Sequence, residues 1–245
     1  MPSKPLLKNL LSRQDTWRGR NRSLRKHVIT TGNNSLDRLL LGGWPVSALS
    51  ELVSQQDGIG ELSILLPTLK RCANEDKLCV WLDPPYQPYA PALVSAGIPL
   101  HKLLVVRCKN SREWLWAAEQ AIRGNALLFA WTNQTQPPYT DLRKLQLAAA
   151  DSRSPAFLFS STAVLKASSP ALLRIELEAL KANVLLITLL KLRGKAPGAK
   201  IQVSLGDEST ERIELDKLPV NIHYPQLKKP DYLLPLKPEV LRLNT

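Results

Sequence analysis

Apolar residues follow two different spacings between residues 46 and 160. Short continuous apolar runs, typical of buried strands, alternate with longer segments whose apolar positions recur at helical spacing. Strands separated by helices form βαβ units and a parallel sheet. The runs predict strands at Ala48–Val53, Leu78–Asp83, Leu103–Arg107, Ala126–Trp131 and Ala156–Ser160. The helical segments predict helices over 35–41, 61–74, 89–96, 112–123 and 139–150.

Boundary residues refine this pattern. Ser111 is a suitable N-cap for the fourth helix, and Gly124 is placed to end it. After residue 173 the pattern changes, because 174–180, 184–193 and 199–205 are rich in strand-forming residues with only short gaps between them. We therefore expect an α/β fold with a mostly parallel sheet flanked by helices and an antiparallel extension at one edge.

Both ends of the chain differ from the middle. Residues 4–14 place Leu6, Leu7, Leu10 and Leu11 on one stripe, which predicts a short amphipathic helix. Beyond residue 216, prolines recur too often for a helix or an inner strand, so an extended Pro-rich tail is expected. The predicted organisation is a basic arm (1–30), an α/β domain (31–216) and a basic tail (217–245).

The positive charge is concentrated in those two ends. The chain carries a net charge of +12, and residues 1–30 hold eight Lys or Arg residues against one acid, Asp15. Like-charged blocks are often interaction tails, and a basic arm suits nucleic acid. A solvated N-terminal extension explains the same composition equally well.

Composition limits the compartment and the chemistry. No apolar run approaches the roughly 20 residues that span a bilayer, and no signal-peptide pattern begins the chain. The three cysteines and three histidines are scattered without metal-ligand spacing. We therefore expect a cytoplasmic protein with no membrane partner, no metal site and no cofactor.

The most informative stretch surrounds the first strand of the domain. Thr31-Gly32, Leu36-Asp37 and Gly42-Gly43-Trp44-Pro45 precede the strand, and the loop Ser54–Leu62 follows it. This order resembles the start of the RecA-like ATPase core, in which a TG…LD…GGxP segment leads into a strand, a phosphate loop and a helix. The resemblance covers roughly residues 28–205.

The phosphate loop itself is altered. A functional loop reads GxxxxGK[ST], with the lysine on the phosphates and the hydroxyl on Mg²⁺. When Gly60 is the second glycine, the first glycine position is Gln55, the lysine position is Glu61 and the hydroxyl position is Leu62. Reversing one charge at 4 Å changes the interaction by roughly 8 kcal/mol at an effective dielectric constant of 20.

Two further parts of the ATPase site are missing. The family places a water-activating Glu after the second strand, where this chain has Pro85, and an acid at the end of the fourth strand, where 127–132 has none. The sequence thus predicts a degenerate ATPase that is not an enzyme. The degenerate loop includes Asp57, and the backbone N–H groups of Gly58 and Gly60 would still be able to hold an anion.

Further segments indicate which family of RecA-like proteins the chain resembles. They are Asp15–Gly19, the GGWP segment Gly42–Pro45, the DGIGEL loop Asp57–Leu62, Pro84–Leu93 and Trp116–Arg123. Together they resemble ImuA, the RecA-like accessory family of mutagenic translesion DNA synthesis. That resemblance implies a DNA-damage-inducible bacterial adaptor. The implied partners are ImuB, a non-catalytic Y-family polymerase homologue, an error-prone C-family DNA polymerase, and RecA. The alternative is an SOS-induced inhibitor of cell division that acts on FtsZ, because the family is also similar to such inhibitors.

Direct DNA contact is expected at the arm. RecA-like recombinases bind DNA through long loops after the fourth and fifth strands, and here those connections, 132–138 and 161–170, are short and hold one cation, Lys166. Weak DNA contact is therefore assigned to the basic arm. The candidate partner or DNA contacts are Leu7, Leu11, Trp17, Arg18, Arg20, Arg22, Arg25, Trp44, Tyr232 and Leu234.

One of Trp114 and Trp116 is expected to pack on the sheet and the other to lie on the surface, because the two side chains cannot share a helix face.

Overall fold

The computed structural model describes residues 28–132 and 136–205. The chain falls into two units, Met1–Asp207 and Glu208–Thr245, and the second lies wholly outside the described residues. The predicted N-terminal helix and Pro-rich tail also lie outside them. No helix in the described ranges is both long and apolar enough to cross a bilayer.

The strands of the described residues form two sheets. The small sheet pairs β1 (Val28–Ile29) with β2 (Trp44–Pro45) in antiparallel fashion. The large sheet has eight strands in the order β10-β9-β8-β3-β7-β6-β4-β5. Its strands are β3 (Leu49–Ser54), β4 (Cys79–Leu82), β5 (Leu103–Val106), β6 (Leu127–Trp131), β7 (Ala156–Ser161), β8 (Leu173–Lys181), β9 (Val184–Leu192) and β10 (Lys200–Ser204).

The prediction of a mostly parallel sheet with an antiparallel edge is confirmed. Strands β3 to β8 all pair in parallel, as connections through helices require. β9 then pairs antiparallel with β8, and β10 with β9. The parallel strands are apolar on both faces because helices cover both sides of the sheet.

Within residues 28–132 and 136–205, five helices flank the sheet: α1 (Asn34–Leu39), α2 (Leu66–Asn74), α3 (Ala90–Ser95), α4 (Ser111–Arg123) and α5 (Tyr139–Asp151). Buried residues of α1, α2 and α3, such as Leu36, Leu69 and Leu93, belong to one apolar cluster. Trp114 of α4 and Leu145 of α5 belong to a second cluster. The sheet therefore lies between two layers of helices.

The segment before β3 is held by one carboxylate. Asp37 on α1 accepts hydrogen bonds from the Thr30 hydroxyl at 2.5 Å and from the Thr31 backbone N–H at 2.8 Å. Gly43 has φ +134°, and a Cβ there would lie 2.2 Å from the Ile29 carbonyl oxygen. These contacts explain why the TG…LD…GG spacing produces the small β1–β2 sheet, which the apolar pattern alone does not predict.

Two helix starts differ from the predictions. Asn110, not Ser111, caps α4, because its side chain accepts from the Glu113 N–H. α2 begins at Leu66 rather than at residue 61. Gly124 ends α4 as predicted.

The tryptophans are mainly core residues. Trp44 is fully buried and meets Phe157 edge to face with ring centroids 5.3 Å apart, so its assignment as a partner contact is wrong. Trp131 stacks on Phe159 at 4.4 Å in the same apolar layer. The expected division within α4 is confirmed. Trp114 is buried and donates to the Trp131 carbonyl, and the Trp116 side chain is 65% exposed.

Candidate functional site

The predicted phosphate loop, residues 55–60, follows β3 at its carboxyl end. β3 lies between β7 and β8, so the loop emerges beside the carboxyl ends of two parallel neighbours. In open α/β sheets, ligand sites form at the carboxyl ends of strands where the connections diverge. The loop therefore has the position of a ligand site, and its chemistry decides whether a ligand can bind.

Glu61 turns its carboxylate back onto this loop. One oxygen accepts from the Gly58 N–H at 2.8 Å, and the other accepts from the Gly60 N–H at 3.1 Å. The Glu61 residue is only 5% exposed. The expectation that these N–H groups could hold a free anion is therefore wrong, because the chain's own carboxylate already takes their hydrogen bonds.

Apolar side chains cover the rest of the loop. Leu62, in the magnesium-hydroxyl position, and Ile59 both pack against the core on the α1–α3 side of the sheet. Gly60 has φ +109°, and a Cβ there would lie 2.1 Å from the Leu205 side chain, which follows β10. Leu205 thus closes over the second loop glycine. The antiparallel extension of the sheet supplies this cover.

The helix after the loop starts too late to present free N–H groups to a phosphate there. Phosphate sites use the N–H groups of a helix that begins directly at the loop. Here residues 61–65 form turns instead, with Ser63 N–H bonded to the Gly60 carbonyl and Leu65 N–H bonded to the Leu62 carbonyl. Gln55, in the first glycine position, is exposed.

The end of β4 is occupied by a proline turn. Asp83, directly after β4, is buried with φ +50° and accepts from the Cys108 N–H at 2.7 Å. Arg107 donates to the Pro84 carbonyl, and Pro85 is exposed. The position that the resemblance assigns to a water-activating Glu therefore carries no group able to move a proton.

The end of β6 carries neutral hydroxyls in place of an acid. The Thr132 hydroxyl donates to the Phe159 carbonyl at 3.0 Å and lies 2.9 Å from the Ser160 hydroxyl. Ser160 in turn donates to Glu51 at 3.1 Å. All three side chains belong to buried residues. The side chains at these strand ends thus hydrogen-bond to each other.

Glu51 forms the one buried ion pair among the described residues. Its carboxylate lies 2.9 Å from Arg174 Nε, as an ionic contact rather than a linear hydrogen bond, and the side chains are 2% and 9% exposed. Arg174 also donates to the Ala167 carbonyl at 2.9 Å and the Val164 carbonyl at 2.5 Å. The pair joins β3, β8 and the 3₁₀ turn Thr162–Lys166. Sequence reasoning missed it because its members are far apart in the chain.

Lys191 lies close to the Glu51–Arg174 ion pair, whose charges affect its pKa. Lys191 on β9 donates to the Ser169 carbonyl at 2.7 Å. Burial, followed by the adjacent Arg174 guanidinium, lowers the pKa of Lys191, and the Glu51 carboxylate opposes that shift. In the described ranges, no group of three or more His, Cys, Asp or Glu side chains is placed to hold a metal ion.

Most predicted contact residues lie outside the described part of the chain: Leu7, Leu11, Trp17, Arg18, Arg20, Arg22, Arg25, Tyr232 and Leu234. The structure brings together Gly58, Gly60 and Glu61 and covers them with Leu62 and Leu205. It does not assemble a nucleotide pocket from them.

These features define an α/β protein with an open, mostly parallel sheet and a self-occupied loop in the usual ligand position. Comparison with known proteins then shows a partial similarity to a curated protein. The chain is 34% identical over 92 residues to the cell division inhibitor SulA of Edwardsiella piscicida, a match that covers 36% of this chain and 52% of SulA. The chain thus spans about half the length of the curated relative it matches. No protein-family model matches the chain.

Proposed function

We propose that this protein is a non-catalytic, RecA-like accessory factor of SOS-induced mutagenic translesion DNA synthesis. In this role it is an adaptor between an ImuB-type polymerase homologue, an error-prone C-family polymerase and RecA. The proposal rests on the ImuA-like segments and on a fold whose strand and helix order suits a RecA-like core.

The observation that carries the non-catalytic part is the Glu61 contact with the loop. A nucleotide phosphate would need the Gly58 and Gly60 N–H groups that Glu61 already engages. It would also meet a buried carboxylate where a lysine is required, at a cost of several kcal/mol. With Thr132 and Pro85 at the other two catalytic positions, the ATPase site lacks its cation, its proton acceptor and its metal ligand.

A protein that keeps the fold of an ATPase but lacks the catalytic residues still has surfaces that can bind partners, as an adaptor requires. The test of the adaptor role is co-purification of the full chain with ImuB and with the C-family polymerase. We expect the double variant Leu7→Asp/Leu11→Asp, on the predicted amphipathic stripe, to reduce capture of ImuB. The exposed Leu180→Asp change at the end of β8 is the matched control.

A chain ending at Pro219 tests the tail separately. Retention of full ImuB capture by that chain would remove the tail from the interface. If the full chain captures neither polymerase-related partner under conditions where both are folded, the adaptor proposal fails.

The SulA similarity favours a second candidate, inhibition of cell division through FtsZ. The two candidates differ in a simple assay. An FtsZ inhibitor produces filamentous cells on overexpression without any polymerase partner, and it lowers the amount of FtsZ polymer that sediments with GTP in vitro. An adaptor of translesion synthesis does neither, and its loss lowers damage-induced mutation instead.

A further inference from the structure

Exposed aromatic and basic side chains meet where β4 and β5 end. The loop after β4 carries Tyr86 and Tyr89, whose residues are 71% and 72% exposed. The segment after β5 carries the exposed cations Arg107, Lys109 and Arg112. Neither set belongs to the closed loop after β3 or to the segments assigned above to polymerase partners. We call these five residues the tyrosine–cation surface.

Hydrogen bonds hold the two segments together. The Arg107 guanidinium donates to the Pro84 carbonyl and, at 3.4 Å, to the Tyr86 carbonyl. Asp83 N–H donates to the Val106 carbonyl at 2.9 Å, and its carboxylate accepts from Cys108 N–H. These hydrogen bonds therefore hold the tyrosine loop against the start of the basic segment.

The tyrosine loop is also stiff. Prolines at 84, 85, 88 and 91 alternate with the two tyrosines and restrict φ along the segment. A loop that is already ordered loses little conformational entropy when it binds a ligand. Large exposed aromatic rings on an ordered loop remain in water at a cost, which is typical of a contact surface.

The charges on this surface favour one kind of occupant. The acids beside the three cations are both engaged: Asp83 is buried, and Glu113 accepts from the Lys109 N–H at 2.9 Å and from the Asn110 amide at 3.2 Å. The three exposed cations outnumber the one exposed acid, Glu113, so the outward charge is positive. Aromatic faces next to cations bind single-stranded nucleic acid, because bases stack on the rings and phosphates approach the cations.

We propose that the tyrosine–cation surface binds single-stranded nucleic acid, with bases on Tyr86 and Tyr89 and phosphates at Lys109, Arg112 and Arg107. This site is separate from the basic N-terminal arm and does not rest on the proposed adaptor function. It also differs in position from the connections after β6 and β7.

The test is fluorescence anisotropy of the full chain with a labelled oligothymidine, over a range of salt concentrations. It is run on the natural chain and on a chain in which Arg20, Arg22 and Arg25 are alanine, so that the arm's contribution is separated. We expect Tyr86→Ala/Tyr89→Ala to weaken binding about tenfold or more with little change in salt dependence. In Lys109→Ala/Arg112→Ala, the plot of the log of the association constant against the log of the salt concentration should become less steep by about 1.4.

The controls are exposed residues elsewhere: Lys200→Ala on β10, at the opposite edge of the sheet, and Leu147→Ala on α5. Neither should change affinity or slope. A duplex probe, whose bases are already stacked, should not respond to the tyrosine changes.

The proposal is overturned by any of three results. The first is that the natural chain fails to bind the oligonucleotide at low salt. The second is that the tyrosine variant binds it as tightly as the natural chain. The third is that the arm substitutions remove all binding. Loss of a protein partner by the tyrosine variant at unchanged oligonucleotide affinity would identify a protein interface and would equally overturn it.

Discussion

At the scale of single residues, the main feature is an anion supplied by the chain itself. Phosphate loops work because several backbone N–H groups point at one place and need a negative partner. Glu61 supplies that partner from the adjacent position with two hydrogen bonds. Glutamate at this position thus places an anion, not a cation, at the loop and takes the hydrogen bonds of the Gly58 and Gly60 N–H groups.

Replacing Glu61 with glutamine tests the structural side of this feature. The amide keeps one acceptor oxygen but turns an NH₂ group toward the second backbone N–H donor of the loop. We expect Glu61→Gln to lower the free energy of unfolding by about 1–3 kcal/mol, measured by urea denaturation. The matched change Glu178→Gln, on an exposed residue, should have almost no effect. Equal stability of the two variants would show that the Glu61 contacts do not stabilise the loop.

The cysteines give a prediction about reactivity. Burial raises the pKa of Cys79 to about 12, and burial with the nearby Asp83 carboxylate raises the pKa of Cys108 to about 11. A raised pKa leaves little thiolate near pH 8, and the thiolate is the reactive form. We expect native Cys79 and Cys108 to alkylate slowly with iodoacetamide at pH 8, and both to react readily in urea. Peptide mass spectrometry measures this, and fast labelling of native Cys108 at pH 8 would contradict it.

At the scale of elements, the loop is closed by Leu205, directly after β10, as well as by Glu61. The apolar pattern predicts β3, the loop and the antiparallel strands, because each is a local property of the sequence. It does not predict that α2 starts at Leu66 or that Leu205 covers Gly60. Those details depend on side-chain contacts between residues far apart in the chain, and Glu61 bonding to its own loop competes with the helix start.

Alanine variants of the two loop glycines distinguish the cost of backbone strain from the cost of steric crowding. Both have positive φ, at +81° for Gly58 and +109° for Gly60, but only a Cβ at Gly60 would meet Leu205. We expect Gly60→Ala to destabilise the protein more than Gly58→Ala, with each strained residue costing on the order of 1–3 kcal/mol. Combining Gly60→Ala with Leu205→Ala should recover the part due to crowding. Additive losses in that double variant, measured by denaturant unfolding, would exclude the Leu205 contact.

The ion pair between β3 and β8 gives a second prediction at this scale. Arg174→Met leaves the Glu51 charge buried without a partner and should cost about 3–5 kcal/mol in unfolding free energy. The double variant Glu51→Met/Arg174→Met removes both charges and should be closer to the natural chain than either single change. A double-mutant cycle of denaturant melts measures this coupling. Losses that simply add would show that the two residues do not interact.

At the scale of the whole molecule, the sequence predicts more of the fold than of the site. The α/β class, the five strands β3 to β7 and the antiparallel edge follow from apolar spacing and are confirmed, and β8 adds a sixth parallel strand through its pairing with β3. The buried network of Glu51, Arg174 and Ser160 could not be predicted, because it forms only when distant strands become neighbours. Trp44 was misassigned because tryptophan is common in both cores and interfaces, and sequence does not separate the two uses.

The most direct test of the account is isothermal titration calorimetry of ATP with Mg²⁺ into the natural chain. The self-occupied loop predicts no saturable heat at concentrations that would detect a micromolar dissociation constant, and no phosphate release on prolonged incubation. Saturable binding of one nucleotide per chain that is lost in Gly60→Ala would contradict the closed loop and, with it, the non-catalytic role.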